Sequence, residues 1–150
     1  QNLPVLEGTS AEGAARGGYV LAEASNGQPR VLLMATGSEV QIAVEAREVL
    51  EGDGIPTTVV SMPCMEWFDQ QEQHYRDSVL PPSVRARVSV EAGIAMPWRR
   101  FVGDAGESVS IEHFGASADY QTLFREYGFT TEHVVTAART SLDRVTPEIV

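Results

Sequence analysis

The chain contains no lysine; all 11 of its basic residues are arginine. A Schiff-base lysine and the lysine of a phosphate-binding P-loop are therefore excluded from it. Cysteine is nearly absent too. Cys64 is the only one, so no internal disulfide can form, and a reducing cytoplasm is the simplest home. Its thiol reads as a small buried hydrophobe rather than a nucleophile. No apolar run is long enough to span a bilayer, which argues against a membrane partner. The start, Gln1-Asn2-Leu3-Pro4, lacks the basic-then-apolar pattern of a secretory signal. It also lacks an initiator Met, which predicts a further segment upstream. Positive charge is scarce, with a formal net charge of −10. Such a surface repels phosphate backbones, so nucleic acid is not an expected partner. No G-x-G-x-x-G, P-loop or H-E-x-x-H pattern occurs, and His74, His113 and His133 are scattered, so no metal site is expected.

The 150 residues, 43% of them apolar, suit one domain with a single core. Residues 1–17 read as a connector, because glycines punctuate them and no apolar period is sustained. Tyr19 to Ala22 and Arg30 to Ala35 read as two strands. Asn26-Gly27 between them predicts a hairpin, since both residues tolerate positive φ, with the first strand at an antiparallel edge. Ser38 to about Gly52 reads as a helix. Val40, Ala43, Val44 and Leu50 share its apolar face, while Glu39, Glu45 and Glu48 lie elsewhere. Ser38 and Gln41 are spaced for a capping box, and Gly52 and Gly54 for a stop.

Further strands are expected at Thr57–Met62, Arg87–Glu91 and Ser108–Glu112, and a short helix at Trp67–Arg76. Ser117 is placed to cap a helix with Leu123 and Phe124 on its apolar side and Gly128 at its stop. Thr130 is placed to cap a second, with Phe129 and Val134 as a hydrophobic staple and Val134, Val135, Ala138 and Leu142 as its stripe. From Asp143 onward the pattern reads as a fraying tail. Strands alternating with helices predict an α/β fold: three layers, α/β/α, around a mostly parallel sheet of roughly five strands with one antiparallel edge strand.

Ligands of open α/β sheets bind beyond the carboxyl ends of the strands. Those ends carry Thr36-Gly37-Ser38, Met62-Pro63-Cys64, Glu91-Ala92-Gly93 and Glu112-His113-Phe114-Gly115. Gly37 and Ser38 open a helix, where backbone N–H groups and the helix dipole can hold an anion. Glu91 and Glu112 are candidates for a facing carboxylate pair, or for bonds to arginine or backbone at an interface. Together with His113 and Asp119 they form a candidate interface loop. Ser117, His113 and Asp119 invite a hydrolase reading, but the second glycine of G-x-S-x-G is missing, and Ser117 as a helix cap explains the same residues. Trp67, Phe68, Trp98 and Phe101, near Arg99 and Arg100, are the composition of a protein interface. A core role is the alternative, most of all for Trp67.

Leu3-Pro4-Val5-Leu6-Glu7-Gly8-Thr9, then Gly17-Gly18-Tyr19-Val20-Leu21, Thr36-Gly37-Ser38-Glu39-Val40 and Val60-Ser61-Met62-Pro63-Cys64 occur in that order. Trp67-Phe68-Asp69-Gln70-Gln71, Tyr75-Arg76, Val79-Leu80-Pro81 and Val90-Glu91-Ala92-Gly93 follow. His113-Phe114-Gly115-Ala116-Ser117-Ala118 and Tyr127-Gly128-Phe129-Thr130 complete the set. This ordered set resembles the C-terminal (third) domain of transketolases over nearly the whole chain.

The resemblance implies an interdomain linker at 1–17 and the α/β domain at 18–150. It implies a cytoplasmic, homodimeric enzyme of the pentose phosphate pathway that moves a two-carbon ketol unit between sugar phosphates. Thiamine diphosphate and Mg²⁺ would belong to the other domains, and no catalytic, cofactor or metal residue transfers to this chain, which would serve assembly or regulation. Rival readings are the third domain of another thiamine enzyme, such as a keto-acid dehydrogenase subunit or a deoxyxylulose phosphate synthase, a free-standing anion- or nucleotide-binding module at Ser38, and a small hydrolase at Ser117.

Overall fold

The Val31–Ala35 run is apolar without alternation, the pattern of a strand covered on both faces. In a computed structural model, which describes residues 5–93, 95–110, 125 and 130–147, it is such a strand. β2 (Val31–Ala35) is fully buried and sits at the centre of a five-stranded sheet. The other strands are β1 (Tyr19–Ala22), β3 (Thr57–Ser61), β4 (Arg87–Glu91) and β5 (Glu107–Ser110), in the order β1-β3-β2-β4-β5. β2 runs parallel to both β3 and β4, and β4 parallel to β5. β1 is the antiparallel edge. Ile111 and Glu112, expected to extend β5, lie outside the described residues.

The expected hairpin is not formed. Gly27 does turn the chain at φ +70°, its N–H donating to Ala24 O at 2.9 Å. But β1 pairs with β3, Tyr19 opposite Ser61 and Val20 opposite Val60, so β3 lies between the two strands. The connection, residues 23–30, is too long for a two-residue turn and long enough to cross one strand. Arg47 pins it there, its Nε donating to Glu23 O at 3.2 Å and to Thr57 O at 3.0 Å.

One face of the sheet is covered by α2 (Val40–Gly52) and α6 (Thr131–Val145). Their stripes of Val40, Ala43, Leu50, Val134, Ala138 and Leu142 pack on Leu33, Val59 and Val88. Burying one such Leu contributes about 2–3 kcal/mol. α2 stops as expected. Gly54 at φ +79° lets its own N–H reach Glu51 O at 3.0 Å and that of Ile55 reach Leu50 O at 2.9 Å, the two bonds of a Schellman ending. Its start differs from expectation. A short 3₁₀ turn (Gly37–Glu39) precedes it, and Ser38 makes no cap bond with Gln41. The Ser38 hydroxyl is engaged instead with the adjacent carboxylate, donating to Glu39 Oε2 at 3.1 Å. α6 begins as expected at Thr130, whose Oγ1 accepts from His133 N at 3.3 Å. It runs past Asp143 to Val145 rather than fraying, because Ser141 and Leu142 are buried and Arg144 pairs with Glu107.

The other face carries α3 (Met65–Asp69), α4 (Gln73–Val79) and α5 (Arg99–Val102). The single helix expected at Trp67–Arg76 is thus two. They surround an aromatic cluster in which Phe101 stands edge-on to Phe68 and Trp98, with ring centroids 6.0 and 6.3 Å away. Trp98 and Phe68 are only 1% exposed, whereas Trp67 is 52% exposed. The aromatics divide opposite to the expectation that Trp67 is the one most suited to the core.

The first segment, read from sequence as a connector, contains a helix, α1 (Ala11–Ala15), capped by Ser10 Oγ accepting from Gly13 N at 2.9 Å. Gly17, at φ +84°, has room for no side chain: a Cβ there would stand 2.2 Å from Cys64 O. Leu6 and Ala14 pack on the aliphatic core. Ser117, Leu123, Phe124 and Gly128, which mark the helix expected there, lie outside the described residues, as does the staple residue Phe129.

Candidate functional site

Because β2, β3 and β4 are parallel, the segments leaving their carboxyl ends share one edge of the sheet. β3 lies on one side of β2 and β4 on the other, so the strand order reverses direction between β2 and β4. A crevice at such a switch point is where open α/β sheets hold ligands. Here a side chain of the chain itself bridges it. Glu39, expected on the polar face of its helix, is 5% exposed. Its Oε1 accepts from Ala92 N at 3.0 Å, and its Oε2 accepts from Ser38 Oγ at 3.1 Å. The bond to Ala92 ties the segment after β2 to the segment after β4.

Gly37 and Ser38, the candidate anion site, lie beside this carboxylate. Gly37 adopts φ +61°, and a Cβ built on it would stand 3.6 Å from Glu39 Oε2, an ordinary contact. Its backbone angle, not lack of space, calls for glycine. The Glu39 carboxylate beside these amides opposes an anion there.

Glu91 ends β4 half-buried, and its Oε2 accepts from Trp98 Nε1. Its partner is thus an indole, neither the arginine nor the backbone group considered from sequence. Glu112, His113, Ser117 and Asp119 lie outside the described residues. Cys64 is half-buried rather than fully enclosed, and its Sγ donates to Glu66 Oε2 at 3.4 Å. Exposed His74 lies 3.3 Å from Glu72, and the His133 ring meets the Thr130 hydroxyl at the start of α6. Among the described residues, no three His, Cys, Asp or Glu side chains are grouped to hold a metal ion. Trp67 and Met96, on segments leaving β3 and β4, are 52% and 69% exposed. The segments leaving β3 and β4 therefore each carry an exposed apolar side chain.

Two charged groups with displaced pKa values sit elsewhere. Burial raises the pKa of Glu51, but hydrogen bonds from Ser25 Oγ and the Thr57 and Ser25 amides, with the charge of Arg47, outweigh it and hold the carboxyl below its ordinary range. Burial pushes the Arg87 guanidinium down. Sequence reasoning missed Glu39 as a buried group and Arg87 as a half-buried one. The one available signal was position: an acidic residue in the first turn after a buried strand, and an arginine opening one after two prolines.

A family model described as the transketolase-like TK C-terminal domain matches residues 17–130. The transketolase of Mycobacterium leprae is 62% identical over 146 residues, covering 95% of this chain and 21% of that protein. The chloroplastic transketolase of Solanum tuberosum is 51% identical over 140 residues, covering 93% of this chain and 19% of that protein. Among solved structures, the transketolase from Leishmania mexicana superposes with a TM-score of 0.89 at 37% identity, covering 98% of this chain and 21% of that one. The chain spans about a fifth of the length of these relatives.

Proposed function

The chain belongs to the transketolase-like C-terminal domain family, and from that premise we propose that it is the assembly domain of a transketolase. The whole enzyme would transfer a two-carbon ketol unit between sugar phosphates, as a cytoplasmic homodimer serving the pentose phosphate pathway. One observation carries the reading: near-complete coverage of this chain by relatives of which it is only about a fifth. Thiamine diphosphate and Mg²⁺ would be held by the rest of the protein and would supply the carbanion chemistry there. The crevice where this fold holds ligands contains the Glu39 carboxylate, a poor neighbour for a diphosphate. This chain would contribute a rigid face to the assembly. Trp67, Met96 and the loops at Glu91, Glu112, His113 and Asp119 would meet the remaining domains, and residues 1–17 would lead into them.

Two measurements test this. Calorimetric titration of the chain with thiamine diphosphate and Mg²⁺ should show no binding in the micromolar range; a micromolar affinity ends the reading. Mixed with the M. leprae transketolase deprived of its matching segment, the chain should sediment as one particle, and Trp67→Ser should weaken that assembly. Independent sedimentation of the two parts would refute the assembly role.

A further inference from the structure

Between α3, α4 and α5 lies a cavity of about 350 Å³, at the small end of the range of small-molecule sites. Its lining is unusual for this chain. In a molecule of net charge −10, three arginines line it, Arg76, Arg87 and Arg100, against two carboxylates, Asp69 and Asp77.

Only one of the three guanidiniums has a counter-charge among the described residues: Arg100 pairs with Asp69 and stacks over the Phe101 ring. Half-buried Arg87 donates only to neutral oxygens. Its Nε reaches Val84 O at 2.8 Å, its Nη1 reaches Phe101 O at 2.7 Å, and its Nη2 reaches Pro81 O at 2.9 Å and Leu80 O at 3.4 Å. These bonds fix the group at the start of β4 without neutralising it. Arg76 likewise donates to neutral acceptors, its Nε to Gln71 O at 3.1 Å and its Nη2 to Gln73 Oε1 at 2.8 Å. Its Nη1 makes no hydrogen bond to the described residues. Asp77 is held by Gln73 Nε2 at 2.8 Å. Positive charge left uncompensated and partly desolvated is costly, and an anion relieves that cost. Guanidinium forks match the oxygens of phosphate in pairs.

We propose that this cavity binds the phosphate group of a small anion, with Arg76 and Arg100 gripping its oxygens and Arg87 supplying a fixed charge behind them. The volume exceeds what a bare phosphate fills, which favours a phosphate ester.

The test is calorimetric titration of the 150-residue chain with inorganic phosphate and with glycerol 3-phosphate, at ionic strength held constant with sodium chloride. Saturable binding is expected. Arg76→Gln and Arg100→Gln should each weaken it by about tenfold, the loss of one charge-assisted contact, and Arg100→Lys should retain most of it. Tighter binding of the ester assigns the site to phosphorylated metabolites; equal binding assigns it to the free ion, and either sustains the proposal. Absence of saturable binding of both probes at millimolar concentration overturns it, as does an affinity unchanged in both glutamine variants. Should Arg76→Gln lose its melting transition, Arg100→Gln, whose side chain is exposed, decides alone.

Discussion

The two layers that cover the sheet solve the same problem differently. On one side, α2 and α6 are long and present aliphatic stripes at helical spacing. On the other, α3, α4 and α5 are short, and aromatic rings with polar clamps hold them. Arg87 ties four carbonyls of the segments at 80–84 and 101, and Tyr75 OH donates to Gly18 O at 2.7 Å. Helices of a few residues have no stability of their own, so this layer exists only through its tertiary contacts. The lesson is that a layer made of short pieces concentrates its dependence in a few large buried groups.

The sharpest way to break that contrast is Trp98→Ala, which empties the aromatic cluster and strips Glu91 of its indole partner. It should cost about 3–5 kcal/mol in urea unfolding. Amide exchange should rise in α3–α5 while α2 and α6 keep their protection; an equal rise in both layers would erase the distinction.

A smaller effect is expected in the aliphatic layer at Glu51, which joins the end of α2 to Ser25 and Thr57 through three hydrogen bonds. Glu51→Gln should lose about 1.5 kcal/mol at neutral pH. The folded pKa lies below the unfolded one, so the carboxylate contributes fully above the unfolded value of ~4.3. That contribution is lost as pH falls through the lower folded value. Unfolding curves of the two proteins should therefore converge in acid; a constant gap at all pH values would remove the charge from the explanation.

The smallest change is expected from Thr130→Ala, which deletes the cap of α6 and should cost about 1 kcal/mol, read as a lower melting temperature. A loss as large as that of Trp98→Ala would mean that the aliphatic layer, too, hangs on single groups.

Much of this fold was legible in the sequence because its signals are short-range. The bare apolar run at Val31–Ala35 announced a doubly covered strand, Gly54 announced the end of α2, and Thr130 the start of α6. The candidate site is legible in the sequence only as an edge where loops gather: the period of α2 puts Glu39 off its apolar face, and nothing local marks the clamp at Arg87.

The sequence by itself determined the alternation of strands and helices, the aliphatic faces, the cap at Thr130 and the antiparallel character of the first strand. Only the tertiary structure decided that β1 joins β3, that Trp98 is inside and Trp67 outside, and that a carboxylate bridges the crevice at the switch point. Periods and caps act over three or four neighbouring residues. Strand partners, burial and counter-charges are set by groups tens of residues away, such as Glu39 and Ala92, whose meeting no local pattern encodes.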